Sequence, residues 1–285
     1  MRVDPTADMT NRPRHRCPRP KRCLRAARAC VREAASRRAA LTRLGLASPT
    51  AFLSMPAEEL NQVGELLRDE GPASERRLAA SLFELSACLG SATGQVNLGY
   101  ALFHGEGRQK NEKAAVKWYK SAAMRGSTPA MFNLALCYRD GTGLRRDGQR
   151  ALDWFGRAAL RGNSRAAFRA GHMLWWGEGL LANKAASVRW FRLAAKHGDA
   201  EAAGYMGIAY HEGIGVRKST ALSLAWYRRG ARRGDRTSIV CLAQMYETGD
   251  GVPKSPARAR HWLSKVREGP PALRRGGVQR TTGLP

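Results

Sequence analysis

The sequence predicts an all-α chain of stacked antiparallel helix pairs with a 36-residue repeat, and three observations carry that prediction. Trp118, Trp154, Trp190, Trp226 and Trp262 recur at that constant interval. The glycine pairs Gly105/Gly107, Gly141/Gly143, Gly177/Gly179, Gly213/Gly215 and Gly249/Gly251 keep the same spacing, as do the single glycines Gly90, Gly126, Gly162, Gly198 and Gly234. Two further phases hold only short side chains that accept hydrogen bonds from free helix amides: Ser91, Ser127, Asn163, Asp199 and Asp235, and then Asn111, Asp147, Asn183, Ser219 and Ser255. No insertion disturbs the register over five copies, which marks a repeat architecture.

Each copy reads as a cap, a first helix, a Gly-x-Gly turn, a second cap, a second helix and a closing glycine suited to a left-handed helix end. In the second copy the first helix, over residues 130–138, places Leu134 and Tyr138 on one face, with Ala130 and Ala135 small enough for close helix approach. The second helix carries Ala151, Trp154, Phe155, Ala158 and Ala159 along an apolar stripe. One pair hides only part of this surface, so successive pairs must stack to bury the rest.

The 285 residues include 49 Lys and Arg against 23 Asp and Glu. Residues 1–47 hold 13 basic and three acidic side chains, residues 48–89 three and seven, and residues 90–268 thirty and 13. This divides the chain into a basic arm at 1–47, disordered or targeting in function, a helical cap at 48–89, five repeats at 90–268, and a disordered Gly/Pro/Arg tail at 269–285. Residues 24–46 of the arm suit a basic helix. Collagen-like and disulfide-dense classes are excluded by composition, and no apolar run reaches the ~18 residues of a membrane span. The expected location is intracellular and soluble, in cytoplasm or nucleus, with organelle import through the arm as an alternative.

The segment 130–143, with its A-x-x-N-L-A-x-x-Y-x-x-G-T-G pattern, and A-L-D-W-F-G-R-A-A at 151–159 resemble the Sel-one-like repeat, a relative of the tetratricopeptide repeat. The resemblance covers residues 90–268. It implies a right-handed α-solenoid with first helices lining a concave surface and second helices a convex one, used as an adaptor or scaffold for other proteins. The last copy departs from the pattern at Trp262-Leu263 and at Arg267, where the second copy has Ala159, as suits a terminal cap. Some secreted members staple each repeat with a disulfide; this chain lacks those cysteine pairs.

Residues 75–90 align with the second helix of the first copy without a gap, Phe83 on Tyr119 and Gly90 on Gly126, which reads as a degenerate N-terminal repeat. The start of this block, Met55-Pro56 with Glu58, Val63 and Leu67, is weakly similar to an F-box, the module that docks onto ubiquitin-ligase machinery. Glu59 and Gly64 stand where that motif prefers leucine and a bulky residue.

Catalytic and metal motifs are absent from the sequence. Cys17, Cys23 and Cys30 lie with His15 among arginines at spacings unsuited to zinc, and read as unpaired thiols of a flexible arm. Cys88, Cys137 and Cys241 read as small core residues. The Gly-x-Gly turns follow no strand and precede no Gly-Lys-Ser/Thr, so they cradle no phosphate. The expectation is a protein without catalytic residues, metal, cofactor or small-molecule substrate.

Two surfaces remain. Trp176 falls at a phase held elsewhere by His104, Asp140, Glu212 and Thr248, and Trp175 at one held by Phe103, Arg139, His211 and Glu247, so the period predicts solvent where this copy places indole. Arg169, His172, Trp175 and Trp176 are therefore the candidate partner-binding residues. The second surface is a basic run near the end of the second helices: Arg157, Arg161, Arg192, Lys196, Arg228, Arg229, Arg232 and Arg233. Cations there offset the helix dipole, and together they create a field attractive to RNA or other polyanions. The primary expectation is a non-catalytic adaptor for other proteins; a polyanion binder and a ubiquitin-ligase substrate adaptor are the alternatives.

Overall fold

A computed structural model describes residues 20–36, 38–46 and 48–268. Among these residues the chain is all-helical. Four helices precede the repeats: α1 (Pro20–Ala35), α2 (Arg38–Arg43), α3 (Ala57–Asp69) and α4 (Arg76–Cys88), with a short 3-10 turn at Pro49–Leu53. Five pairs follow: α5 (Ala92–His104) and α6 (Glu112–Met124), α7 (Thr128–Asp140) and α8 (Gly148–Leu160), α9 (Ser164–Trp176) and α10 (Lys184–Lys196), α11 (Ala200–Glu212) and α12 (Thr220–Arg232), α13 (Arg236–Thr248) and α14 (Pro256–Glu268).

All ten anticipated caps form. Ser91, Asn111, Ser127, Asp147, Asn163, Asn183, Asp199, Ser219, Asp235 and Ser255 each accept a hydrogen bond from the amide three residues on. Each such bond satisfies one amide that the helix itself leaves unpaired, worth about 1 kcal/mol. The first helices end on left-handed glycines, with φ between 73° at Gly177 and 86° at Gly249. The second glycine of the turn has a separate role: a Cβ on Gly143 would lie 2.6 Å from the backbone of Glu112, at the start of the preceding second helix. Its missing side chain lets one repeat sit directly on the last.

The chain divides into two compact units, residues 1–154 and 155–285. In the first, the core is rich in large side chains: Phe52, Leu60, Leu67, Leu78, Leu82, Phe83 and Leu85 are fully buried or nearly so. The α3/α4 pair repeats the packing of the later pairs. A Cβ on Gly64 would collide with Phe83 at 2.6 Å, just as one on Gly99 would collide with Tyr119 at 2.6 Å. In the second unit the same contact recurs between Gly171 and Phe191 and between Gly207 and Tyr227. Within each unit the first helices of successive pairs touch, α3 on α5 and α11 on α13.

The described residues of the segment read as a basic arm include α1 and α2. Helix α1 packs on α4, with Ala26, Ala27, Cys30 and Ala34 buried in the leucine-rich core. The arginines obscure an alanine stripe at helical spacing that has an apolar face to cover. Cys30 is accordingly a core thiol, its pKa pushed up by burial to about 12. Residues 1–19, including His15 and Cys17, and the side chain of Cys23 lie outside the described residues, as does the tail from 269. Cys88 and Cys137 are buried and Cys241 is half-buried.

Candidate protein-binding edge of the third repeat

Helix α9 begins under the Asn163 cap and ends on Gly177, so the position of its last residue is set by local chemistry at both ends. That last residue is Trp176, 62% exposed. Its counterparts His104, Asp140, Glu212 and Thr248 are exposed too, so the repeat frame places this phase in solvent regardless of residue type.

Trp175 does not share that exposure, which corrects the sequence expectation. Its ring is buried, edge-on to Phe191 at 5.8 Å and to Tyr205 at 5.6 Å, with Lys184 Nζ 5.6 Å above it. The counterparts Phe103, Arg139 and His211 are half-buried, and a larger flat side chain at this phase reaches further into the same space. Tyr205 from α11 stacks on Phe191 at 4.5 Å, which completes the wall behind Trp175. Trp175 therefore supports the edge and does not line it.

His172 lies one turn before Trp176, with ring centroids 6.3 Å apart, and its Nδ1 pairs with Glu178 Oε1 at 2.9 Å. Arg169, a further turn back, is half-buried and makes neither a hydrogen bond nor an ion pair. The carboxyl of Glu201 titrates above its ordinary range, chiefly through burial and then through Asp199 and Asp235, while Arg169 and His172 pull it back down. Arg169, His172 and Trp176 follow one another along one face of α9.

One residue of this edge escaped sequence reasoning. Leu181, in the loop after Gly177, is 91% exposed, and its counterparts are Gln109, Arg145, Arg217 and Pro253. The same test that singled out Trp176, a large apolar residue at a phase otherwise polar, finds it. Trp176 and Leu181 both fall in the third repeat, five residues apart.

The basic run divides on inspection into two kinds of side chain. Arg192 donates to the Tyr210 hydroxyl at 3.2 Å and Arg228 to the Tyr246 hydroxyl at 2.9 Å, each joining a second helix to the first helix that follows. The bond from Arg228 holds the Tyr246 phenol below its ordinary pKa. Arg229 donates to the Ala195 carbonyl at 2.8 Å, at the end of α10, and Arg125 in the first unit donates likewise to the Gly90 carbonyl. These arginines close helix ends left open by the preceding repeat. Arg157, Arg161, Lys196, Arg232 and Arg233 are exposed.

No group of His, Cys, Asp and Glu that suits a metal ion occurs among the described residues. The Sel1 repeat pattern matches residues 92–127, 128–163, 164–199, 200–235 and 242–265, more than half of the chain. The chain belongs to the Sel1 repeat family. Sel1 repeat proteins are generally scaffolds for protein interaction and typically carry no catalysis. Among solved structures, the chain is similar to c5321, a protective antigen of uropathogenic Escherichia coli strains displaying an SLR fold. The two are 27% identical with a TM-score of 0.70, over 74% of this chain and 46% of that one. This Sel1 chain thus spans under half of the antigen's length. A Sel1 repeat protein from Oxalobacter formigenes is 29% identical with a TM-score of 0.67, over 73% of this chain and 85% of that one. No curated protein matches the chain. No described helix is long and apolar enough to cross a membrane.

Proposed function

We propose that this Sel1 repeat chain is a non-catalytic adaptor that binds another protein at the edge of its third repeat, through Trp176 and Leu181 with Arg169 and His172 beside them. The observation that carries the reading is the coincidence of two large exposed apolar side chains in one repeat, at phases the other four fill with polar residues or proline. Exposed aromatic anchors beside an unpaired arginine are typical of surfaces that become buried in a complex. The partner is an acidic segment with apolar side chains of its own. A second copy of this chain is disfavoured by a formal net charge of +26, since like charges across an interface oppose it.

Residues 48–89 act in this reading as the cap of the repeat stack. Support comes from the Gly64–Phe83 contact, which copies that of the repeats, and from α1, which covers α4. An F-box would need that helical surface free to dock.

Proximity labelling in the native cell, with the intact chain and with a Trp176→Ala/Leu181→Gln variant, tests the proposal. An acidic partner labelled by the first and lost with the second supports it. An unchanged set of labelled proteins, with the variant's circular dichroism and melting intact, overturns it.

A further inference from the structure

Helices α10, α12 and α14 together carry eight arginines and three lysines, and their one acid is Glu268, the last residue of α14. We infer that the second helices of the second unit form a face that binds the phosphate backbone of nucleic acid without reading its sequence. This surface is separate from the Trp176 edge and stands or falls independently of it.

Two ordinary explanations account for only part of the charge. A face built for solubility intersperses both signs, as the second helices of the first unit do with Glu84 on α4 and Glu112 on α6. The helix dipole favours cations in the last turn, which suits Lys196 and Arg232, but it equally favours acids in the first turn. None of the three helices has an acid there, whereas α6 has Glu112. Structural bonds engage Arg192, Arg228 and Arg229, as described above. Lys184, Arg258 and Lys265 lie over the rings of Trp175, Tyr246 and Trp262. Arg189, Lys196, Arg232 and Arg260, one or two on each helix, are exposed and make neither a hydrogen bond nor an ion pair among the described residues.

The chemistry favours phosphate over other anionic partners. Arginine outnumbers lysine on these helices, and its planar fork meets two phosphate oxygens at once. Lys196 and Arg232 hold one phase in successive repeats, with Arg189 two turns before Lys196, and such a row of free cations suits a charged polymer better than the irregular surface of an acidic protein. The three indoles on these helices are half-buried, and two of them already meet a cation, Trp226 with Arg229 at 5.2 Å and Trp262 with Lys265 at 5.8 Å. That favours contact with the backbone over stacking on bases.

The test measures fluorescence anisotropy of labelled RNA duplexes of two unrelated sequences with the full chain, across a salt series. Four phosphate contacts imply a fall in affinity of roughly a hundred-fold between 50 and 200 mM salt. Replacing Arg189, Lys196, Arg232 and Arg260 by Glu should weaken binding at least ten-fold more than the same change of charge at Lys113, Lys117, Lys120 and Arg146 in the first unit. If the glutamate variant does not fold, the corresponding glutamine variant carries the comparison, with a smaller loss expected in the same order. Equal losses for the two sets would overturn the assignment. So would strong preference for one sequence, or equally tight, stripe-dependent binding of polyglutamate or of phosphatidylserine vesicles.

Discussion

The third and fourth repeats are built on one frame and finished differently. Both begin on side-chain caps, Asn163 and Asp199, and both turn on left-handed glycines. Each seats a buried aromatic of its second helix, Phe191 or Tyr227, against a glycine of its first. At the phases facing outward they part. The third has Trp176 and Leu181 where the fourth has Glu212 and Arg217, and behind them a buried Trp175 where the fourth has a half-buried His211. In the fourth, His211 bridges Glu212 at 2.6 Å and Asp250 at 2.8 Å, an ionic arrangement; in the third the same phase joins an aromatic cluster. Stability resides in the shared residues, which leaves the outward ones free to take on recognition.

The largest effect that breaks this comparison is expected at the buried aromatics. Phe191→Ala should cost about 3–5 kcal/mol, read as a lowered urea midpoint. Tyr227→Ala should cost less, because Phe191 also stacks on Tyr205 and meets Trp175, and each ring contact adds ~0.5–1.5 kcal/mol. Equal losses would show that the cluster of the third repeat adds nothing beyond burial.

Next come the glycines that face these rings. A Cβ on Gly207 would stand 2.4 Å from Tyr227, and one on Gly171 2.8 Å from Phe191. Both changes to Ala should destabilise by ~1–3 kcal/mol, Gly207→Ala more than Gly171→Ala, in the same denaturation experiment.

A smaller effect separates the repeats by pH. Hydrogen bonds to Asp250 and then Glu212 raise the pKa of His211 above its ordinary value. A group raised in the folded state contributes its stability in full below the unfolded pKa of ~6.5, and loses it as pH rises through the folded value. The melting temperature gap between the native chain and His211→Gln should therefore be wider at pH 5.5 than at pH 8.5, by less than ~1 kcal/mol for so exposed a group. A gap that widens toward alkaline pH would contradict the bridging geometry.

The smallest stability effect is expected at Trp176. Its replacement by Ala should change unfolding by no more than ~0.5 kcal/mol, since the ring is 62% exposed. A substantial loss would mean that the indole serves the fold, and the third repeat would then lose its claim to a recognition surface.

Legibility in the sequence followed the range of the interactions. Caps and helix-ending glycines act within three or four residues, so Ser91 through Ser255 could be placed from periodicity alone, and all ten caps formed. Trp176 was visible because its phase is exposed in every copy. Trp175 was not, because its burial depends on Tyr205 and Phe191, which meet it only after folding. The role of α1 was hidden for another reason: Ala26, Ala27 and Ala34 are weakly apolar, and the arginines around them dominate any composition measure. The division of the arginines between interhelical bonds and open solvent likewise depends on reach across 18 or 34 residues, as Arg228 and Arg229 show.

The uniform spacing of the caps has an implication for how such a chain changes length over generations. A 36-residue cassette carries both of its helix starts and its closing bend within itself. Duplicating or excising one whole cassette keeps every cap and turn in register, whereas a cut of any other size sets a starter residue in mid-helix. Growth by whole floors, never by fractions, is the inheritance this architecture permits.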